Sequence, residues 1–114
     1  MMLKWIAPAL LLSLMPISAQ AATYCFENLG NTGCPWQETF PKSQLKQLSC
    51  QNLWYVRNSI YDRRGYCFKT QDGKDAFDNS DCTVKNAANI HFNASESANI
   101  ANIRQVETNK GCTP

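Results

Sequence analysis

His91 is the side chain in this sequence best suited to acid–base chemistry. It is the only histidine, and histidine is the residue whose ordinary pKa lies near neutral pH. A serine hydrolase would have to use it, but the Gly-x-Ser-x-Gly turn that presents a nucleophilic serine does not occur in the sequence. The apolar neighbours Ile90 and Phe92 predict a partly packed surface residue. We therefore expect no catalytic residue and a protein that is not an enzyme.

Asp72, Asp75, Asp78 and Asp81 recur at every third position. Such spacing can gather carboxylates on one side of a helix, where an acid pair or a calcium site would need them. Calcium loops of the EF-hand type place their ligands at every second position, with a glycine at the sixth. The sequence lacks that pattern. A solvated helix face accounts for the spacing, and we expect no metal and no cofactor.

The sequence contains six cysteines, which could form disulfides or bind a metal. No Cys-x-x-Cys pair occurs, and a single histidine leaves zinc without a usual set of ligands. An even number of cysteines in a short exported chain predicts disulfides. We expect three bonds among Cys25, Cys34, Cys50, Cys67, Cys82 and Cys112.

The start of the chain indicates export. Lys4 is followed by an uncharged apolar stretch and then by small residues around Gln20, which is the layout of a secretory signal peptide. The sequence predicts a signal peptide over residues 1–21 and one domain over residues 22–114, periplasmic or secreted. Prolines and serines interrupt the apolar stretch, which argues against the alternative of an uncleaved anchor. We expect no membrane span after processing.

Charge excludes one class of partner. Removing Lys4 from the 11 basic residues leaves ten, against 9 acidic residues. A net charge near +1 gives no long-range attraction for nucleic acid. The partner we expect is an unknown protein or a component of the cell wall.

The pattern of apolar residues predicts a mostly helical domain. Residues 22–41 are rich in glycine, asparagine and proline, which predicts an irregular N-terminal segment. Spacings of three and four place Leu53, Trp54, Arg57 and the following apolar residues on one face of a helix over residues 51–63. Short helical turns are predicted over residues 44–48 and 72–77.

The last helix is predicted to begin at Ser95 and to end at Gly111, with Ile100, Ile103 and Val106 as its buried stripe. The fold class is therefore mostly α: a small three-helix, disulfide-stapled domain with an irregular N-terminal segment.

The helices restrict which cysteines can pair. A helix over residues 51–63 separates its ends by roughly 20 Å, whereas bonded cysteines need α-carbons within about 7 Å. Cys50–Cys67 is therefore disfavoured. We predict Cys25–Cys34, Cys50–Cys82 and Cys67–Cys112, with Cys67–Cys82 as the chief rival pair.

The middle of the chain resembles a known family. Residues 53–68 read LWYVRNSIYDRRGYCF, which is similar to the core of the YARHG domain, named after a Tyr-Ala-Arg-His-Gly string. Asp62 stands where the family has alanine, and Arg64 where it has histidine, so no role of that histidine carries over. The resemblance extends over residues 45–108 and implies a bacterial envelope or extracellular domain. The Leu-Trp-Tyr string is also similar to a group of small bacterial proteins with paired cysteines.

The residues of this motif have a structural interpretation as well. Gly65 fits a sharp turn with positive φ, and Arg63 or Arg57 is predicted to pair with Glu107 on the last helix. The alternative is a polar binding site. The motif residues singled out are Leu53, Trp54, Arg57, Asn58, Tyr61, Arg63, Gly65 and Glu107.

These features favour a non-catalytic binding or interaction module, with exposed aromatic residues as its candidate surface. Two alternatives remain. An inhibitor or immunity-type protein would use a protruding loop between Cys25 and Cys34. A small hydrolase would need His91 or the aspartates of residues 72–81 to converge in a pocket.

Overall fold

The computed structural model describes residues 24–113, so the predicted signal peptide and its cleavage site lie outside the described residues. The helices are α1 (Lys42–Leu45), α2 (Cys50–Arg63), α3 (Gln71–Ala76) and α4 (Ala94–Lys110), with a 3-10 turn at Ala87–Asn89. Within residues 24–113 the extended pairing is limited to one isolated parallel bridge between Tyr66 and Val84. The predicted mostly helical class with an irregular N-terminal segment is confirmed, with four α-helices within residues 24–113 instead of the predicted three.

Local signals set the ends of the two long helices. The Ser49 side chain accepts a hydrogen bond from the Asn52 N–H and caps α2. Helix α4 begins at Ala94, one residue before the predicted Ser95, and its cap is Asn93, because Asn93 and Glu96 form a reciprocal capping box. Gly111 ends α4 in the left-handed conformation, at φ 74°.

The core lies between α2 and α4 and is closed by the N-terminal segment. Both long helices contribute aliphatic residues at helical spacing, and α1 adds Leu45. Leu29 and Phe40 from the irregular segment complete the cluster, at 2% and 1% exposure. The predicted stripe of α4 is buried, together with its counterparts on α2: Leu53, Val56, Ile60, Ile100, Ile103 and Val106.

The two long helices run antiparallel, and three contacts follow their length. The start of α2 is bonded to the residue beyond α4 through Cys50–Cys112. Near the middle of α2, Arg57 pairs with Glu107 at 2.8 Å. Just past the end of α2, Arg64 pairs with Glu96 in the first turn of α4, at 2.6 Å. Of the partners proposed for Glu107, the structure selects Arg57.

The antiparallel arrangement corrects the disulfide prediction. The structure forms the predicted Cys25–Cys34 bond, but the other two bonds are Cys50–Cys112 and Cys67–Cys82. The predicted Cys50–Cys82 and Cys67–Cys112 pairs are wrong.

The path of the chain after α2 explains the difference. The Cys67 N–H donates to the carbonyl of Val84 at 2.8 Å, so residues 82–84 return to the exit of α2 and not to its start. Cys67 and Cys82 therefore lie 5.1 Å apart at their α-carbons. The far end of α4, not residue 82, reaches the start of α2, where the α-carbons of Cys50 and Cys112 are 5.5 Å apart.

Candidate ligand-binding groove

The motif residues divide between the core and a groove. Leu53 is fully buried, and Tyr61 packs against the core cluster. Gly65 has φ 85°, and a Cβ there would lie 2.8 Å from the Thr83 hydroxyl, so a turn and a close approach both require glycine. The Arg63 guanidinium lies 3.7 Å from the centre of the Trp36 ring. The other motif residues line a groove: Trp54, Arg57, Asn58 and Glu107.

This Trp54 groove consists of two adjoining cavities between α2, α3 and the end of α4. Their volumes are about 600 Å³ and about 660 Å³. The two cavities share four lining residues, so they form one continuous depression: Trp54, Asp72, Glu107 and Thr113.

Aromatic stacking supports the wall of the groove. Trp54 is half-buried, and its ring centre lies 6.1 Å from that of Phe77. Phe77 stacks on Phe68 at 4.9 Å, and Phe68 meets the edge of Tyr66 at 5.0 Å. Phe68 and Phe77 are buried. The partly exposed rings of Trp54 and Tyr66 are thus held by buried neighbours.

Helix α3 approaches this wall closely because Gly73 lies against Phe68. A Cβ at Gly73 would meet atoms of the Phe68 side chain at 2.7–2.9 Å. The Thr70 hydroxyl accepts the Gly73 N–H at 3.1 Å and caps the helix. This contact places Asp72 and Asp75 at the rim of the groove.

A hydrogen-bonded ion pair stiffens the floor of the groove. Arg57 donates from Nε and an Nη atom to the two carboxylate oxygens of Glu107, at 2.8 and 3.0 Å. Both side chains are 12% exposed. The Asn58 amide donates to the Trp54 carbonyl at 2.9 Å. Bidentate geometry fixes both helices in register beneath the groove.

The unpaired charges differ between the two cavities of the groove. Asp75 lines the first cavity only, Lys69 and Arg104 line the second only, and Asp72 lines both. Within residues 24–113, ion pairs form only among Arg57, Arg63, Arg64 and two glutamates of α4. The charged groups at the rim therefore have no ionic partner in the described part of the chain.

The remaining candidates for chemistry lie elsewhere. His91 is exposed, does not line the groove, and makes no hydrogen bond or ion pair within residues 24–113. Asp78 accepts a hydrogen bond from the Ser80 N–H at 2.8 Å, and Ser80 lowers its pKa. Of the four aspartates, the two on α3 face the groove. No group of three or more potential metal ligands occurs in the described residues.

A second hydrogen-bonded contact ties the N-terminal segment to α2. The Tyr24 hydroxyl donates to Asp62 at 2.6 Å. Burial raises the pKa of Tyr24, and the bond to Asp62 raises it further. Burial also raises the pKa of Asp62, although the bond from Tyr24 opposes that shift. The hydrogen bond between Tyr24 and Asp62 therefore ties the N-terminal segment to α2.

The carboxylate of Glu96 is a buried structural centre that its position in the sequence indicates only weakly. It is fully buried and accepts hydrogen bonds from the Arg64 guanidinium and from the Asn93 N–H. The available signal was its location three residues after Asn93, which is the spacing of a capping box. The sequence gives even less indication that Lys69 and Arg104 line the groove, although Arg104 shares a helix face with Glu107.

Comparison with known proteins yields a matching family. The family model of the YARHG domain matches residues 35–108, well over half of the chain. The chain belongs to the YARHG domain family. The match begins ahead of the resemblance noted from the motif, since it includes the part of the N-terminal segment that contacts α4. No curated protein and no solved structure matches the chain.

In this YARHG domain the departure from the name-giving string has a structural counterpart. Arg64, at the histidine position, makes the bidentate contact with Glu96. The family and the three disulfides indicate an extracytoplasmic protein. None of the helices in residues 24–113 has the length and hydropathy that a bilayer span requires.

Proposed function

We propose that this protein is a non-catalytic binding module of the bacterial envelope, located in the periplasm or secreted, and that the Trp54 groove holds its ligand. The observation that carries the proposal is the meeting of two cavities, of about 600 and 660 Å³, beside a half-buried tryptophan. Small-ligand sites occupy roughly 300–1,000 Å³ and combine aromatic surface with a few placed polar groups.

The frame of the groove supports this function because it is rigid before any ligand arrives. Cys50–Cys112 and Cys67–Cys82 fasten the segments that carry its walls. The Arg57–Glu107 pair fixes its floor. A site held in this way loses little conformational freedom on binding, which favours affinity.

The alternatives receive less support from the geometry. An inhibitor would need a protruding loop, but Leu29 at the middle of residues 25–34 is buried in the core, and the Glu38 side chain accepts hydrogen bonds from the backbone of Asn31 and Gly33. A hydrolase would need His91 or the aspartates of residues 72–81 to converge in a pocket. His91 does not line the groove, and of the four aspartates only Asp72 and Asp75 do.

A retention experiment tests the proposal. The oxidised domain of residues 22–114 is immobilised and incubated separately with purified cell wall and with solubilised envelope proteins of the native bacterium. Trp54→Ala removes the central ring of the groove. Trp36→Ala is the matched control, because Trp36 is also a half-buried tryptophan but does not line the groove. Circular dichroism and thermal unfolding establish that each variant is folded.

We expect the immobilised domain to retain a component of one fraction specifically. This retention should fall at least ~10-fold in Trp54→Ala and should be preserved in Trp36→Ala. Reduction of the disulfides should also abolish it. Equal retention by both variants would place the ligand outside the groove and contradict the proposal. Retention from neither fraction would contradict a role as an envelope-binding module.

A further inference from the structure

We propose that the ligand of the Trp54 groove is a short peptide of the cell wall that carries both a free ammonium group and a free carboxylate. This inference rests on the proposed function and names the class of ligand. Its basis is the uneven distribution of unpaired charge along one concave site: Asp75 lines one cavity only, Asp72 lies where the two cavities meet, and Lys69 and Arg104 line the other cavity only.

The acidic part of the groove is suited to an ammonium group. Asp72 and Asp75 lie on α3 and line the cavity beside Cys50 and Ala76. Asp75 accepts a hydrogen bond from Gln71 at 2.7 Å, which orients its carboxylate and leaves it further capacity as an acceptor. Neither aspartate has an ionic partner within residues 24–113.

The basic part is suited to a carboxylate. The Arg104 guanidinium donates to the Tyr61 hydroxyl at 3.3 Å, which uses one of its five donors. Lys69 lies 5.2 Å from the centre of the Tyr66 ring and donates to the Lys85 carbonyl. Both cations remain exposed. A ligand of one sign would satisfy only one part of the groove.

The size of the site favours a peptide of a few residues over a folded protein. A stable protein interface covers about 800 Å² on each partner, whereas this site is a short depression with a tryptophan at its middle. Wall stem peptides offer the required chemistry, because a free alanine end supplies an ammonium group and the diamino acid at the other end supplies carboxylates. Trp54 would contact the apolar stem between the two charges.

Calorimetric titration of the oxidised domain tests the inference. The probe is the tripeptide L-Ala–γ-D-Glu–meso-diaminopimelic acid. Two derivatives, one acetylated on its amines and one amidated on its carboxyls, remove one sign of charge each. The protein variants are Asp75→Asn and Arg104→Gln. Matched controls are Asp81→Asn and Lys46→Gln, which remove the same charges from exposed residues outside the groove.

We expect each blocked derivative and each groove variant to bind about 10-fold more weakly, and the controls to bind like the wild type. Equal binding of the blocked derivatives, or equal losses in the control variants, would overturn the inference. Equal affinity for the linear peptide Ala-Ala-Lys would overturn the assignment to the wall. If the tripeptide does not bind while Trp54-dependent retention persists, the ligand class is wrong and the proposed function stands.

Discussion

Asn99 accepts a hydrogen bond from the backbone N–H of Phe40 at 2.8 Å, and both residues are buried. The same side chain donates to the carbonyls of Pro35 and Glu38, at 3.0 and 2.9 Å. One amide on α4 thus satisfies three backbone groups of the irregular N-terminal segment. These groups have no helix or sheet to pair with, and leaving them unpaired inside the protein would be costly.

Replacing Asn99 should therefore detach that segment. We expect Asn99→Leu, which keeps the side-chain volume but removes all three bonds, to lower the free energy of unfolding by about 3 kcal/mol. Urea unfolding of the oxidised protein measures the change. Asn109→Leu makes the same substitution at an exposed position of α4 and should change stability by less than about 0.5 kcal/mol. Equal effects at the two positions would rule out the tethering role of Asn99.

The Arg57–Glu107 pair should show strong energetic coupling. Removing either partner leaves a largely buried charge unpaired, so Arg57→Met and Glu107→Gln should each cost about 3 kcal/mol. The double variant should cost less than the two single changes together, with a coupling energy of about 1–3 kcal/mol. A double-mutant cycle on unfolding free energies measures it. The exposed contact between Lys42 and Gln105 is the control cycle, where we expect coupling below about 0.5 kcal/mol.

The disulfides should contribute unequally to stability. Their sequence separations are 9 residues for Cys25–Cys34, 15 for Cys67–Cys82 and 62 for Cys50–Cys112. The entropy of closing a loop grows with its length, so the paired Cys→Ser variants should lose about 2.5, 3 and 4 kcal/mol in that order. Guanidinium unfolding gives the values, and peptide mapping checks the pairing. A larger loss from the Cys67–Cys82 variant than from the Cys50–Cys112 variant would contradict the ranking.

Glu38 should make stability depend on acid pH. Its pKa is lowered from 4.5 to about 2, first by the Thr32 hydroxyl and then by backbone N–H groups of the same loop. A carboxyl group whose pKa falls on folding stabilises the folded state fully above 4.5 and loses that contribution as the pH drops towards 2.

We therefore expect Glu38→Gln to be less stable than the wild type at pH 7, with a difference that shrinks between pH 4.5 and 2. Denaturant unfolding across that range measures it. Glu27→Gln is the control, because Glu27 belongs to the same loop but makes no hydrogen bond within residues 24–113. A difference between wild type and Glu38→Gln that stays constant with pH would exclude this origin.

The sequence predicts those features that depend on neighbouring residues. The buried faces of α2 and α4 follow from apolar spacing, and Gly65 and Gly111 mark turns at which φ is positive. The pairing of Arg57 with Glu107 can also be predicted from the sequence, because both residues lie on the faces of α2 and α4 that pack together. Each of these signals depends on residues within a few helical turns or on a single residue type, so it can be read from one sequence.

The features that depend on the course of a loop cannot be predicted from the sequence in the same way. Residues 66–84 return beside the exit of α2 through hydrogen bonds from Cys67 and Val84, and no periodic pattern announces that path. The disulfide map and the Trp54 groove both depend on it, since α3 forms one wall of the groove. For the same reason Asp72 and Asp75 resemble a solvated face in the sequence, although the fold places them at a rim.

The Cys50–Cys112 bond also determines how the molecule would carry load. A pull on the two ends of the described chain enters at residue 50 and leaves at residue 112 through the disulfide, so residues 51–111 bear no tension while the bond is intact. In a single-molecule stretching experiment, complete reduction of the disulfides should release roughly 200 Å of additional chain from these residues. The bond therefore keeps tension away from most of the groove lining, and only Cys50, Cys112 and Thr113 of that lining lie on the path of the force.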